Sequence, residues 1–222
     1  LRIDKIKDIR PDIDQVDIDG KAILFESGIY AKIPNDLPEN LALSALDVAG
    51  APAQVAKLVK PGDTVLIIGA GGKSGMLCCY EAKKRAGVTG KVIGMCHSQR
   101  STDRLKALGF CDYVFSGNAT QPVPVMEEIE KLTDGKMCDV TINNVNITDT
   151  EMTSILCTKD DGVVYFFSMA TSFTKAALGA EGVGKDVTMI VGNGYTKGHA
   201  EITLQELRES EALRKIFTEL YA

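Results

Sequence analysis

Clustered Lys and Arg are missing from this sequence of 222 residues, in which 25 basic residues face 30 acidic ones for a formal net charge of −5. Mild acidity spread along a chain does not make a phosphate-backbone surface, so no nucleic-acid partner is expected. The one basic run, Lys83-Lys84-Arg85, is short and reads as the solvated end of a helix. Long apolar runs are missing as well. Nothing approaches the roughly 18 residues that a transmembrane helix needs, so no membrane partner is expected, and no stretch has the form of a signal peptide. The six cysteines (78, 79, 96, 111, 138 and 157) contain no C-x-x-C pair, and His97 and His199 stand in unrelated segments. Neither a disulfide framework nor a zinc-ligand spacing is present, and no metal site is expected. Cysteines set in apolar runs behave as small buried hydrophobes, which suits a reducing cytoplasm. Beginning at Leu1 rather than Met, the sequence reads as a piece of a longer protein.

What is present is an ordinary globular composition, 45% apolar, with length for one full domain and an appendage. Residues 1–33 alternate short apolar positions with acids (Ile3, Ile6, Ile13, Val16, Ile18, then Ala22-Ile23-Leu24-Phe25) and read as strands of a small β-rich unit. Pro34 and Pro38 punctuate its end. Residues 41–58 carry apolar side chains at helical spacing, interrupted near Gly50 and Pro52. A regular alternation follows. Strands are predicted at 64–68, 91–96, 113–115, 139–143, 163–168 and 187–191. Helices are predicted at 76–85, 101–108, 123–132, 150–156 and 204–221. Alternating strands and helices imply βαβ units and a parallel sheet, and about six strands match the doubly wound Rossmann count. The expected domains are 1–40, 41–200 and 201–222.

The sharpest local signal is Gly69-Ala70-Gly71-Gly72-Lys73-Ser74-Gly75, directly after the strand at 64–68. A glycine turn between a strand and a helix lets bare backbone approach a pyrophosphate at the helix N-terminus. A strict G-x-G-x-x-G would place its third glycine at 74, where Ser74 stands. A P-loop would need a glycine where Ile67 lies within the strand, and no acid for Mg²⁺ ends a later strand. Lys73 is therefore read as an extra phosphate contact. A dinucleotide site that prefers NAD carries an acid at the end of the second strand. Here the chain runs Cys96-His97-Ser98-Gln99-Arg100, with no acid and with a guanidinium suited to a 2′-phosphate. NADP is favoured over NAD.

These pieces together resemble the medium-chain dehydrogenase/reductase superfamily. The resemblance runs through Ile29-Tyr30-Ala31-Lys32-Ile33-Pro34, Val59-Lys60-Pro61-Gly62-Asp63-Thr64-Val65-Leu66, and Arg104-Leu105-Lys106-Ala107-Leu108-Gly109 with Asp112. It implies a Rossmann domain behind a GroES-like catalytic domain, of which residues 1–40 would be the last part. Gly50-Ala51-Pro52-Ala53-Gln54, Gly72-Lys73-Ser74-Gly75 and Gly194-Tyr195-Thr196-Lys197-Gly198-His199 look like a smaller family, the diamino-acid dehydrogenases of lysine fermentation. That implies oxidative deamination of a 3-amino to a 3-keto group on an amino or keto acid, with hydride passing to nicotinamide.

Carried onto this sequence, the resemblance implies that residues 69–75 hold the pyrophosphate and that His97, Ser98 and Arg100 hold the adenosine ribose. Asn143 and Asn144 would face the cofactor, and Phe167, Ser168, Gly192 and Asn193 would lie near the nicotinamide. His199 is the one candidate general acid or base, weighed against a role as a helix cap. A quinone, enoyl or alcohol reductase on the same scaffold, and a non-enzymatic nucleotide sensor, are the alternatives. Members of the superfamily pair strand edges to form homodimers, and the uncharged run Val187-Thr188-Met189-Ile190-Val191 suits that role.

Overall fold

The computed structural model describes residues 1–13, 15–192 and 194–222. The chain divides into two compact units, Leu1–Lys32 and Ile33–Ala222. In the first, β1 (Arg2–Arg10) pairs antiparallel with β2 (Gln15–Lys21) across a 3₁₀ turn at Pro11–Ile13. The register shifts between Ile3 and Lys5 and between Ile6 and Asp8. Ala22, Ile23, Leu24 and Phe25 lie outside any strand, contrary to the sequence expectation.

The second unit opens with α1 (Glu39–Leu46) and α2 (Gly50–Leu58). The break lies at 47–49 rather than at Gly50 and Pro52, because a proline in the first helical turn forfeits no hydrogen bond. The sheet and its helices then alternate: β3 (Thr64–Ile68), α3 (Lys73–Ala86), β4 (Lys91–Cys96), α4 (Gln99–Leu108), β5 (Tyr113–Ser116), α5 (Pro122–Leu132), β6 (Cys138–Asn143), α6 (Glu151–Leu156), β7 (Thr158–Phe166), α7 (Phe173–Val183) and β8 (Val187–Val191). The six strands are parallel, in the order β5-β4-β3-β6-β7-β8. Counted from β3 this is 3-2-1-4-5-6, the doubly wound order with its switch point between β3 and β6.

Both faces of the sheet are covered, which is why its strands read as continuous apolar runs. Val65, Ile67 and Val92 pack toward α2 and α3 with Val55, Leu77 and Phe217. Their alternating neighbours Leu66, Ile68, Ile93 and Met95 pack toward α5 with Val125 and Ile129.

Three elements depart from the sequence reading. Helix α7 was not expected at all. β7 starts at Thr158 and ends at Phe166, so Phe167 and Ser168 lie just beyond it. The single helix expected at 204–221 is two, α8 (His199–Glu209) and α9 (Glu211–Tyr221), broken at Ser210, whose hydroxyl accepts from Leu213 N. No helix among the described residues is long and apolar enough to cross a membrane.

Candidate functional site

The switch point sets the site. Strands β3 and β6 lie side by side while their continuations leave toward opposite faces, which opens a crevice at their carboxyl ends. The turn after β3 is anchored by Gly69 N and Ala70 N, both donating to Met95 O at 3.0 Å, and closed by Gly72 N donating to Gly69 O at 3.0 Å. Gly72 caps α3 without a side-chain acceptor. The first-turn N–H groups of α3 are thus left to an incoming anion.

Two glycines in this turn are held by close approach. A Cβ on Gly75 would sit 2.2 Å from Gly69 O, so only glycine lets α3 begin against the turn. A Cβ on Gly71 would lie 2.7 Å from Ser101 Cβ and 3.1 Å from Cys96 Sγ. Arg104 of α4 fixes the turn from the same side, donating from Nη2 to Gly71 O at 2.5 Å.

Two clefts meet here. The first, about 480 Å³, is walled by Gly69, Gly71, Gly72, Met95, Cys96, His97, Ser101, Gly117, Ala119, Asn144, Val145 and Ile147. Its lining is largely apolar, as a flat adenosine requires. The second, about 790 Å³, is the more polar of the two, although apolar surface still makes up most of its lining: Asp47, Ser74, Asn144, Asn146, Ser168, Tyr195 and His199 stand around it with Leu46, Phe167, Met169 and Gly192. Asn144 borders both. Its backbone N–H is fixed on Ile68 O at 3.0 Å, its Oδ1 accepts from Cys78 Sγ at 3.9 Å, and its buried Nδ2 has no partner among the described residues.

The residues expected from the sequence divide accordingly. Gly69, Gly71, Gly72 and His97 line the first cleft, and Ser74, Phe167, Ser168, Gly192 and His199 the second. Ser98 and Arg100 are exposed in the first turn of α4, and the Ser98 hydroxyl accepts from Ser101 N as the helix cap. Lys73 pairs with Asp47 at 3.0 Å. Asn193 lies outside the described residues.

Asn143 corrects an expectation. It is fully buried, and its Nδ2 donates to Thr150 Oγ1 at 2.8 Å and Ser154 Oγ at 3.0 Å while its Oδ1 accepts from Val145 N. A side chain with every group engaged inside the fold does not face a cofactor. It anchors the turn that presents Asn144.

Asp47, Met95, Ser101, Ala119 and Tyr195 escaped sequence reasoning. They come from separate elements and share no local motif. Only the loop 194–199 carried a signal, through its glycines. Thr196 donates to Gln54 Oε1 at 2.7 Å in a buried contact that ties this loop to α2.

Burial pushes the Cys96 thiol above its ordinary value, so in the first cleft it is a wall rather than a nucleophile. A nicotinamide dinucleotide fits the donor set: a glycine cradle that a Cβ would fill, free N–H groups at the start of α3, and the unpartnered Asn144 amide. Zinc does not find such a set. Among the described residues no group of three or more His, Cys, Asp and Glu could hold a metal ion.

Comparison with known proteins agrees with this fold. Residues 75–202 match the model of the zinc-binding dehydrogenase family, and residues 1–34 match the N-terminal domain of L-erythro-3,5-diaminohexanoate dehydrogenase. The chain is 65% identical over 221 residues to the L-erythro-3,5-diaminohexanoate dehydrogenase of Acetoanaerobium sticklandii, and spans 64% of that relative's length. Among solved structures, an alcohol dehydrogenase from Thermus superposes with a TM-score of 0.62 at 22% identity, over 83% of this chain and 53% of the other. A mycobacterial protein complexed with NADPH does so with a TM-score of 0.60 at 20% identity, over 86% and 58%. At such identities the superpositions speak for the fold alone. The family model covers more than half of the sequence, and the chain belongs to the zinc-binding dehydrogenase family.

Proposed function

We propose that this chain supplies the cofactor site of a nicotinamide-dependent dehydrogenase that deaminates L-erythro-3,5-diaminohexanoate to 5-amino-3-oxohexanoate. The single observation that carries the reading is the junction of an apolar and a polar cleft at Asn144, above a glycine turn at the switch point of the sheet. The substrate in this reading is supported by the 65% identity to a relative of that name. The Asp47 carboxylate and the polar side chains of the second cleft suit a diamino acid better than a quinone or enoyl group, which offers no ammonium.

The dinucleotide, when bound, supplies a nicotinamide ring that accepts hydride. The chain's own residues supply position. The turn at 69–72 and the first N–H groups of α3 would receive the pyrophosphate, Arg104 holding the turn through Gly71 O. Asn144 Nδ2 would donate to the cofactor at the junction. His199, the first residue of α8 with its ring edge-on to Tyr195 at 6.1 Å, is the candidate to accept a proton from the amine. No step is derived through zinc.

NADP is the favoured cofactor in this reading, since no carboxylate among the described residues lines the first cleft and Arg100 follows His97 three residues on, exposed in the first turn of α4. With the Ser98 hydroxyl engaged in its cap, the 2′-phosphate contact would fall to Arg100 and His97. Residues 1–40 would complete a β-rich catalytic domain, and the enzyme would act in the cytoplasm as a homodimer. The test is formation of reduced cofactor and ammonia from L-erythro-3,5-diaminohexanoate. Turnover with NADP that falls in Arg100→Ala toward the NAD rate is expected. Absence of turnover with both cofactors would overturn the proposal.

A further inference from the structure

The polar cleft contains a carboxylate already in contact with an ammonium. Asp47, at the C-terminal end of α1, receives Lys73 Nζ at 3.0 Å. Lys73 is the first residue of α3, directly after the glycine turn, and its ammonium also lies 5.4 Å from the centroid of the Tyr221 ring. It sits between Gly72, which lines the first cleft, and Ser74, which lines the second. One lysine thus stands within side-chain reach of two partners, the phosphate-binding turn and a carboxylate of the polar cleft.

A phosphate at the N-terminus of α3 competes for this lysine. The Asp47 side chain is 66% exposed and that of Lys73 29%. An exposed pair of this kind is weak and exchanges partners readily. A pyrophosphate, charged and backed by the N–H groups and dipole of the helix, is the stronger partner. When Lys73 turns to it, Asp47 is left facing the polar cleft without its cation, and Asp47 is the carboxylate among the described lining residues there. The Lys73 ammonium therefore marks where a primary ammonium of a ligand can rest.

We propose that Asp47 receives an ammonium group of the substrate, and that Lys73 occupies this place until dinucleotide phosphate draws the lysine away. The proposal rests on the dinucleotide and diamino-acid reading above and adds to it an ordering device. Cofactor binding uncovers the substrate's carboxylate, and by reciprocity an ammonium on Asp47 releases Lys73 to the cofactor.

The test is a titration of NADPH and NADH into this chain, in the wild type, Asp47→Asn and Lys73→Met, with and without L-erythro-3,5-diaminohexanoate. Removing the competitor in Asp47→Asn should tighten dinucleotide binding about two- to fivefold, the scale of an exposed pair. Lys73→Met should loosen it by at least that much, and Asp47→Asn should add nothing in the double variant. The diamino acid should tighten binding in the wild type and not in Asp47→Asn, with hexanoate, which lacks both amines, inert. Unchanged or weaker binding in Asp47→Asn would overturn the exchange of partners. A diamino acid effect that is absent, or equal in wild type and Asp47→Asn, would overturn Asp47 as the ammonium site. A wild type that binds no dinucleotide is a different result, which removes the reading of the site itself.

Discussion

Asn143 and Asn144 stand side by side at the end of β6, and the sequence gives no reason to separate them. The fold does. Pleating sends successive side chains to opposite sides, so the Asn143 amide reaches into the buried start of α6 and the Asn144 amide borders both clefts. Asn143→Ala is expected to cost about 2–3 kcal/mol of stability, since it strands Val145 N and leaves Thr150 and Ser154 without their donor. Chemical denaturation measures that loss. Asn144→Ala should leave the denaturation midpoint near wild type and weaken dinucleotide binding about tenfold. The reverse assignment of losses would show that the residue facing the cofactor is Asn143. At this scale the glycine turn was legible because its residues are contiguous and lie directly between a strand and a helix. Asp47 was not, because nothing within its own segment connects it to Lys73.

Between elements, α3 and α8 share a buried pair of carboxyl groups. Glu81 and Glu206 are fully inaccessible. Glu81 Oε1 accepts from Arg85 Nε at 2.7 Å, while Glu81 Oε2 and both oxygens of Glu206 have no hydrogen-bond partner among the described residues. Burial first, and then the charge of Glu81, hold the Glu206 carboxyl well above its ordinary value, with Lys84 and Arg85 opposing and Glu209 reinforcing. A carboxyl raised in the folded state binds more protons there than in the unfolded chain. Its contribution to stability is therefore greatest below the unfolded-state value of about 4.3 and is lost as pH rises above it toward the folded-state value. Glu206→Gln, which keeps the neutral shape, should raise Tm at pH 8 by about 2–4 °C or more, the shift that 1 kcal/mol gives a chain of this size, and should match the wild type at about pH 3.5, below the unfolded-state value. A variant that melts lower at pH 8, or shifts equally at both pH values, would show that Glu206 is ionised and held by its cations.

Strands β3, β4 and β8 have the bounds expected of them, because short β-branched runs between glycines and charged turns are local signals. Helix α7 was hidden by Gly179 and Gly182, which interrupt its pattern, although Ser172 caps it by accepting from Lys175 N. The break between α8 and α9 was hidden for the opposite reason. Amphipathic periodicity runs on through Ser210, and only the cap bond to Leu213 N shows that a new helix begins there.

For the whole molecule, sheet order decides what can assemble. Strand β8 is the last in the order β5-β4-β3-β6-β7-β8 and carries no charged residue. An uncharged edge strand offers its unpaired groups to a second copy. Light scattering is expected to give twice the chain mass, and Thr188→Lys with Val191→Lys, both at exposed positions of that strand, should halve it while dinucleotide binding persists. A monomeric wild type would contradict the edge pairing without touching the cofactor site.

One measurement reaches the cofactor site most directly: fluorescence titration of NADPH and NADH into the wild type and Gly71→Ala, with circular dichroism to follow the fold. A Cβ at this position meets Ser101 Cβ at 2.7 Å and the Ser101 carbonyl at 3.2 Å, so α4 must move and the cleft must change shape. Such overpacking costs about 1–3 kcal/mol, so saturable binding to the wild type is expected to weaken about tenfold or more in a folded variant. A wild type that binds neither nucleotide, or a variant that binds as tightly as the wild type, would mean that the glycine turn is not where the cofactor sits.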